Sequence, residues 1–362
     1  MTKFKLFLVS IAMLPIQNKA LSAEISTQIY NGTEATVDTF PSIATLYYDA
    51  IDYTGLYGMY CGATILDEQH VLTAAHCLYD GNGDLNEDYL VYTSVAIQME
   101  NESQFLDGSV EVIRASEFYP HSDYVDSSSS TGASWPNDIA IIKLDSPISV
   151  SSSDYVVRAS DDFYRGTDGE PMIAVGHGYT ENGDEDELLQ TTLNYEAGEC
   201  DLGDLNDSQI CMTGELDEDT GVRNTTCSGD SGGPLYWFDG DEYVQAGITS
   251  YGWSGCYNAN SDDTSVFTEV VDYQTWIASV LAGNEAPSYT VTEEDREDYE
   301  QEDWSSPDFN TRDIDQDDNS EESSTDTSSD SGGSSGYWGI SLLLLLTFRR
   351  HLERNYGHNL FS

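Results

Sequence analysis

Cys227-Ser228-Gly229-Asp230-Ser231-Gly232-Gly233-Pro234 is the stretch on which the reading of this chain turns. Glycines on both sides of one serine permit a tight backbone, so several N–H groups can converge on one point while the Ser231 Oγ stays exposed. A serine nucleophile needs a base. Thr73-Ala74-Ala75-His76-Cys77 offers one: a histidine among small neighbours that leave room for substrate, tied down by the adjoining cysteine. Asn137-Asp138-Ile139-Ala140-Ile141-Ile142-Lys143-Leu144 offers the third partner, an aspartate opening an apolar strand, where its carboxylate can be desolvated and aimed at an imidazole Nδ1–H. A histidine beside a cysteine is a weak signal alone, and an aspartate before an apolar run is weaker. In the order His76, Asp138, Ser231 they describe a nucleophile, its base and the group that orients the base.

The surrounding composition narrows the class. The chain has 362 residues with 66 Asp plus Glu against 13 Lys plus Arg, a formal charge of −53. Residues 29–283 carry 46 acids and five bases, and residues 284–336 carry 18 acids and two bases. Such a field repels nucleic acid and anionic membrane surfaces, so neither is expected as a partner of the globular part. Self-repulsion is relieved by salt, with a Debye length of ~8 Å at physiological ionic strength and ~3 Å at 1 M, which suits a saline habitat. Six cysteines, all between Cys61 and Cys256, predict three disulfides formed in an oxidising compartment. A zinc site, the competing use of cysteines, lacks any CxxC spacing here. No metal and no cofactor is expected.

Met1–Ala23 reads as a signal peptide: Lys3 and Lys5, an apolar stretch from Leu6 to Ile16, and the small-residue end Leu21-Ser22-Ala23. Residues 24–28 then form a short pro-segment. From 29 to 283, short β-prone runs (43–48, 90–97, 139–144, 172–175, 243–248, 266–270) alternate with Gly/Asn/Asp/Ser turns, which predicts an antiparallel β architecture, a barrel or a sandwich. One helix is expected over 273–281, with Trp276, Ile277, Val280 and Leu281 on one face. Residues 284–336 are too polar to offset chain entropy and predict a disordered acidic stalk. Residues 337–362 close the chain with a 12-residue apolar run, Tyr337–Phe348, followed by Arg349 and Arg350.

Over 29–281 the three stretches together resemble the chymotrypsin/trypsin family of serine proteases. The resemblance implies an all-β fold of two six-stranded antiparallel barrels followed by a C-terminal helix, with the site in the cleft between them. It implies that His76 is general base then acid, Asp138 its orienting carboxylate, Ser231 the nucleophile, and the N–H groups of Gly229 and Ser231 the oxyanion hole. It pairs Cys61 with Cys77, Cys200 with Cys211, and Cys227 with Cys256. It also implies a zymogen: Ile29-Tyr30-Asn31-Gly32 resembles the N-terminus freed on activation, whose ammonium would pair with Asp230. Gln28 stands where the family usually has Arg or Lys, so the activating protease is expected not to be trypsin-like.

The same resemblance places Thr225, flanked by Thr226, at the base of the substrate pocket, where trypsins carry an aspartate. Ser250, Tyr251, Gly252 and Ser265 form its walls. A neutral P1 residue, medium apolar or aromatic, is expected in protein or peptide substrates; Asp262 and Asp263 lie in a loop nearby. The tail resembles the bacterial glycine-glycine sorting signal, Ser331–Gly336 preceding a short apolar segment and an arginine pair. That implies export, a membrane tether through a short transmembrane helix, and trimming by tail-processing machinery, leaving a secreted or cell-surface product. Two other classes compete: a silent protease fold used as a binding module, and a surface protein whose acidic stalk is the working part.

Overall fold

The computed structural model describes residues 29, 32–126, 135–178, 187–198, 200–202, 205–216, 221–252, 264–299 and 310–311. Period-two burial is clearest in Leu189–Tyr195, where Leu189, Thr191, Leu193 and Tyr195 are buried while Gln190, Thr192 and Asn194 turn outward. That alternation is what a strand with one core-facing side requires. Twelve strands among the described residues make two closed barrels. The first takes β1 (Ile43–Ala50), β2 (Leu56–Ile65), β3 (His70–Thr73), β4 (Thr93–Ile97), β5 (Glu111–Pro120) and β6 (Ala140–Leu144), in the spatial order β5-β4-β1-β2-β3-β6, and closes through β5–β6 pairing. The second takes β7 (Pro171–Gly176), β8 (Leu189–Tyr195), β9 (Gln209–Gly214), β10 (Pro234–Phe238), β11 (Tyr243–Gly252) and β12 (Thr264–Glu269), ordered β8-β9-β12-β11-β10-β7 and closed through β7–β8. All pairings within the barrels are antiparallel. The open choice between barrel and sandwich resolves to barrels, and closure leaves only short stretches of free edge, one of them on β5 beyond Arg114.

Leu46, Ile65, Leu72, Val95, Ile141 and Leu144 fill the first barrel, and Met172, Leu193, Ile210, Met212, Leu235 and Phe267 the second. Each such side chain contributes about 1.5–3 kcal/mol on burial. The helix α1 spans Gln274–Leu281 and buries Ile277 and Val280, with Trp276 and Leu281 packed at its margin. It starts one residue later than expected because Val270–Tyr273 form a 3₁₀ turn. The expected strand over 90–97 begins only at Thr93. Glu87–Leu90 instead form a helical turn, with Glu87 and Asp88 at its electropositive start.

The stalk expectation needs a larger correction. Residues 284–299 are part of the fold. Ser288 N and Val291 N donate to the carbonyls of Phe118 (2.9 Å) and Ser116 (2.8 Å), which adds Tyr289–Thr290 to the edge of β5. A second helix, α2 (Glu293–Asp298), follows a capping box: Thr292 Oγ1 accepts from Asp295 N, and Asp295 Oδ2 accepts from Thr292 N at 2.8 Å. Arg296 is fully buried. It donates to Val91 O (3.1 Å) and Ala115 O, and to the carboxylates of Asp145 (3.3 Å) and Glu293 (3.1 Å). The acids that made this stretch look disordered serve here as the first turn of a helix, and a single cation and Val291 anchor it. Asn310–Thr311 also pair antiparallel with Leu56–Tyr57 of β2; residues 300–309 and 312–362 lie outside the described residues. Among the described residues no helix is long and apolar enough to cross a membrane.

Candidate active site

His76 sits in the 3₁₀ turn Ala75–Leu78 directly after β3, and the Cys61–Cys77 disulfide ties that turn to β2. Asp138 lies two residues before β6 and is fully buried. Its Oδ1 accepts the backbone N–H of His76 at 2.8 Å, and its Oδ2 accepts His76 Nδ1–H at 2.8 Å and the Ser250 hydroxyl at 2.5 Å. A buried carboxylate is tolerated when its lone pairs are met by donors in this way. The geometry fixes the imidazole with Nδ1 protonated and Nε2 left to accept. Ser250, expected as pocket wall, therefore reaches Asp138 from β11.

Ser231 stands at the turn before β10. Its carbonyl accepts Gly62 N–H of β2 at 2.7 Å, so the first barrel grips the loop of the second. Gly232 has φ +78, and a Cβ there would meet Thr73 Oγ1 at 2.1 Å and Gly62 O at 2.6 Å. Gly229 has φ +97, and a Cβ there would meet Gly178 Cα at 3.0 Å. Neither Gly229 N–H nor Ser231 N–H donates to a backbone acceptor among the described residues. Ser231 Oγ makes no hydrogen bond to His76 there either; such contacts commonly tighten only around substrate.

Asp230, the neighbour of Ser231, packs its carboxylate against Gly176 and Gly178. It is buried, and its carboxylate accepts Gly178 N–H at 2.9 Å and Cys227 N–H at 2.8 Å. Burial pushes its pKa up to about 7, against the pull of those two amides. Among the described residues no basic side chain forms an ion pair with it. Ile29 is buried with φ 39, strained for a β-branched residue, and its nitrogen is not among the donors to Asp230.

At the expected pocket base, Thr225, Thr226 and Ser265 form a closed hydroxyl network, all three buried. Thr225 Oγ1 donates to Thr226 O (3.2 Å); Ser265 Oγ accepts from Thr226 N (3.3 Å) and Oγ1 (2.9 Å), and lies 2.9 Å from Thr225 Oγ1. With the Thr225 proton committed, Ser265 supplies the last bond. Every hydroxyl proton of these three residues is then used inside the network, and none of the three carries a charge. Gly252 and Tyr251 line β11 opposite β12, Gly252 in register with Ser265. Asp262 and Asp263 lie outside the described residues. Cys200–Cys211 is bridged, and Cys227 is disulfide-bonded, its expected partner Cys256 lying outside them. The one metal-ligand-like cluster among them, Cys61, His76 and Cys77, has both sulfurs in a disulfide.

Sequence reasoning missed Trp135. Its ring lies 4.8 Å from the His76 imidazole and 5.9 Å, edge-on, from Tyr251. Adjacency in Trp135-Pro136-Asn137-Asp138 was the available signal, but only the fold turns that indole toward the histidine.

A family model described as Trypsin matches residues 29–277. Chymotrypsin-like elastase family member 1 of Canis lupus familiaris is 29% identical over 272 residues, 72% of this chain and 95% of the relative. A trypsin of Sarcophaga bullata is 27% identical over 281 residues (74% and 96%), and phenoloxidase-activating enzyme 1 of Spodoptera litura 28% over 272 (71% and 68%). The match of the family model over more than half the chain, on a pair of closed six-stranded barrels, makes this chain a member of the trypsin family, a serine endopeptidase.

Proposed function

We propose that this enzyme is an exported zymogen whose activated form cleaves peptide bonds with His76, Asp138 and Ser231. The observation that carries the reading is the buried Asp138 carboxylate holding His76 Nδ1 at 2.8 Å. Ser231 Oγ attacks the scissile carbonyl as His76 Nε2 takes its proton, and Asp138 stabilises the imidazolium that results. The oxyanion is received by the N–H groups of Gly229 and Ser231. His76 then gives the proton to the departing amine, and water repeats the cycle on the acyl-enzyme. A fluorophosphonate probe tests this directly: labelling should require Ser231, and labelling that survives Ser231→Ala removes Ser231 from the role.

Activation by cleavage at Gln28–Ile29 rests on Asp230, buried and without a counter-charge among the described residues. In the uncleaved chain its carboxylate stays protonated up to about pH 7, while an unfolded one ionises near 3.8. The resulting penalty is absent below pH 4, grows through pH 4–7, and reaches about 4 kcal/mol above that. A freed Ile29 ammonium would offset it. The melting-temperature gap between cleaved and uncleaved Ser231→Ala protein is therefore expected to widen from pH 5 to pH 8, and N-terminal sequencing of active enzyme should read Ile-Tyr-Asn-Gly. A gap that stays constant, or an active species retaining residues 24–28, overturns the mechanism.

The saturated Thr225–Thr226–Ser265 base supports a neutral, medium-sized apolar P1 residue. Peptide-library profiling should rank such residues at least about tenfold above Arg and Lys, since a buried cation without a counter-charge is strongly disfavoured. A preference for Arg would point to an acid from the 253–263 segment. The even cysteines and the leader-like Met1–Ala23 support export, and the tail, residues 337–362, supports surface sorting with later trimming.

A further inference from the structure

We propose that Asn137, locked by the Tyr273 hydroxyl, is a positioning residue that sets the pose of Asp138 against His76; this rests on the reading of those residues and Ser231 as the triad. Asn137 is one of three non-glycine residues with positive φ among those described, at 59°. Asparagine tolerates this region better than most residues, yet it remains sparsely populated and persists where its surroundings over-determine it. Two bonds do so here. Asn137 Nδ2 donates to Asp123 O at 2.8 Å, and Asn137 Oδ1 accepts the Tyr273 hydroxyl at 3.0 Å. One side-chain amide thus ties the turn after β5 to the 3₁₀ turn after β12.

The next peptide is held from the far side as well. Asp138 O accepts Thr268 Oγ1 of β12 at 2.8 Å, and Ile139 N donates back to Asn137 O at 2.8 Å. Asp138 is therefore presented by a backbone pinned on both flanks, and relaxing the left-handed turn at Asn137 would swing the carboxylate relative to Nδ1. Tyr273 is well placed for a fixed donor. It is buried, its ring stands edge-on to His121 at 5.4 Å, and His121 packs on Trp276 at 5.2 Å. Burial, first among its causes, pushes the Tyr273 hydroxyl up to about 12, so it keeps its proton throughout the neutral range. None of this touches substrate; the effect runs through Asp138.

The test is a double-mutant cycle on the active enzyme with Asn137→Ala, Tyr273→Phe and the pair. Asn137→Ala should lower kcat by roughly 10–100-fold, the scale of a misplacement of about 1 Å, with KM within about twofold. Tyr273→Phe keeps the ring packing and should lower kcat by about 3–10-fold. Because both remove one shared bond, the double variant should be no worse than Asn137→Ala alone. The downfield proton NMR signal of the His76 Nδ1–H bond should broaden or move upfield in each, a reading available whether or not the wild type turns over. The proposal is overturned if kcat and that signal match wild type, if the losses fall only on KM and thermal stability, or if the two losses multiply. Should Asn137→Ala not fold, Tyr273→Phe decides alone. Failure of the triad reading looks different: turnover would then survive Ser231→Ala, whereas failure here leaves Ser231-dependent turnover indifferent to Asn137.

Discussion

Ser231→Ala is expected to cut kcat for peptide hydrolysis by about four to six orders of magnitude, equivalent to roughly 5–8 kcal/mol of barrier. The residual rate above water would come from binding and from the Gly229 and Ser231 amides, which the substitution leaves in place. Thermal stability should hardly move, within about 2 °C, because the hydroxyl makes no hydrogen bond among the described residues and its loss opens no apolar cavity. Asp138→Asn should cost about four orders, since an amide facing His76 favours the wrong tautomer. It should also lower stability, because Asp138 Oδ1 and Oδ2 accept three hydrogen bonds from His76 and Ser250 in a buried setting. Steady-state kinetics with a peptide substrate, paired with calorimetric melting, separates the two variants. If Ser231→Ala turns over at the wild-type rate, the assignment of the nucleophile fails.

The second large effect concerns the segment after α1. A chain ending at Gly283 should melt about 10 °C or more below one ending at Glu300, both compared in a Ser231→Ala background to prevent self-digestion. Burial of Val291 is worth about 1.5–3 kcal/mol, and the hydrogen bonds of Ser288, Val291 and Arg296 add about 1 kcal/mol each at the low end. At about 2–4 °C per kcal/mol for a domain of this size, a loss of about 4.5–6 kcal/mol is readily measured. Arg296→Ala in the full chain should reproduce much of that loss, since Val91 O and Ala115 O would be left buried without a donor. Equal melting of the 283 and 300 chains would mean that the segment is decoration.

Legibility followed how local each feature is. The Gly229–Pro234 turn and the His76–Cys77 pair could be read from the chain because their chemistry depends on immediate neighbours. The barrel strands were readable from short apolar runs, although residues 90–92 were read into a strand because Leu90 and Val91 face the core from the end of a helical turn just as they would from a strand. Features that depend on distant partners were not readable. Trp135 acquires meaning only against His76 and Tyr251, and Asn137 looks like any turn residue until Tyr273 arrives from 136 positions away. Residues 284–299 misled through composition: acid count argues for disorder, but one buried arginine and one buried valine outweigh it when a sheet edge lies within reach.

That added segment also decides where traction is felt. Among the described residues the last helix, α2, ends at Asp298, well past the end of α1 at Leu281. Tension arriving from beyond Thr311 meets the Asn310–Thr311 pairing with Leu56–Tyr57 of β2 before it reaches α2, the Arg296 clamp and the short pairing with β5. Only after those give way does it reach the 270–281 helical stretch that carries Tyr273 and, through it, Asn137 and Asp138. A molecule held by its C-terminal end would thus have a mechanical fuse between its leash and the His76–Asp138 pair, able to absorb a tug while their alignment stays undisturbed.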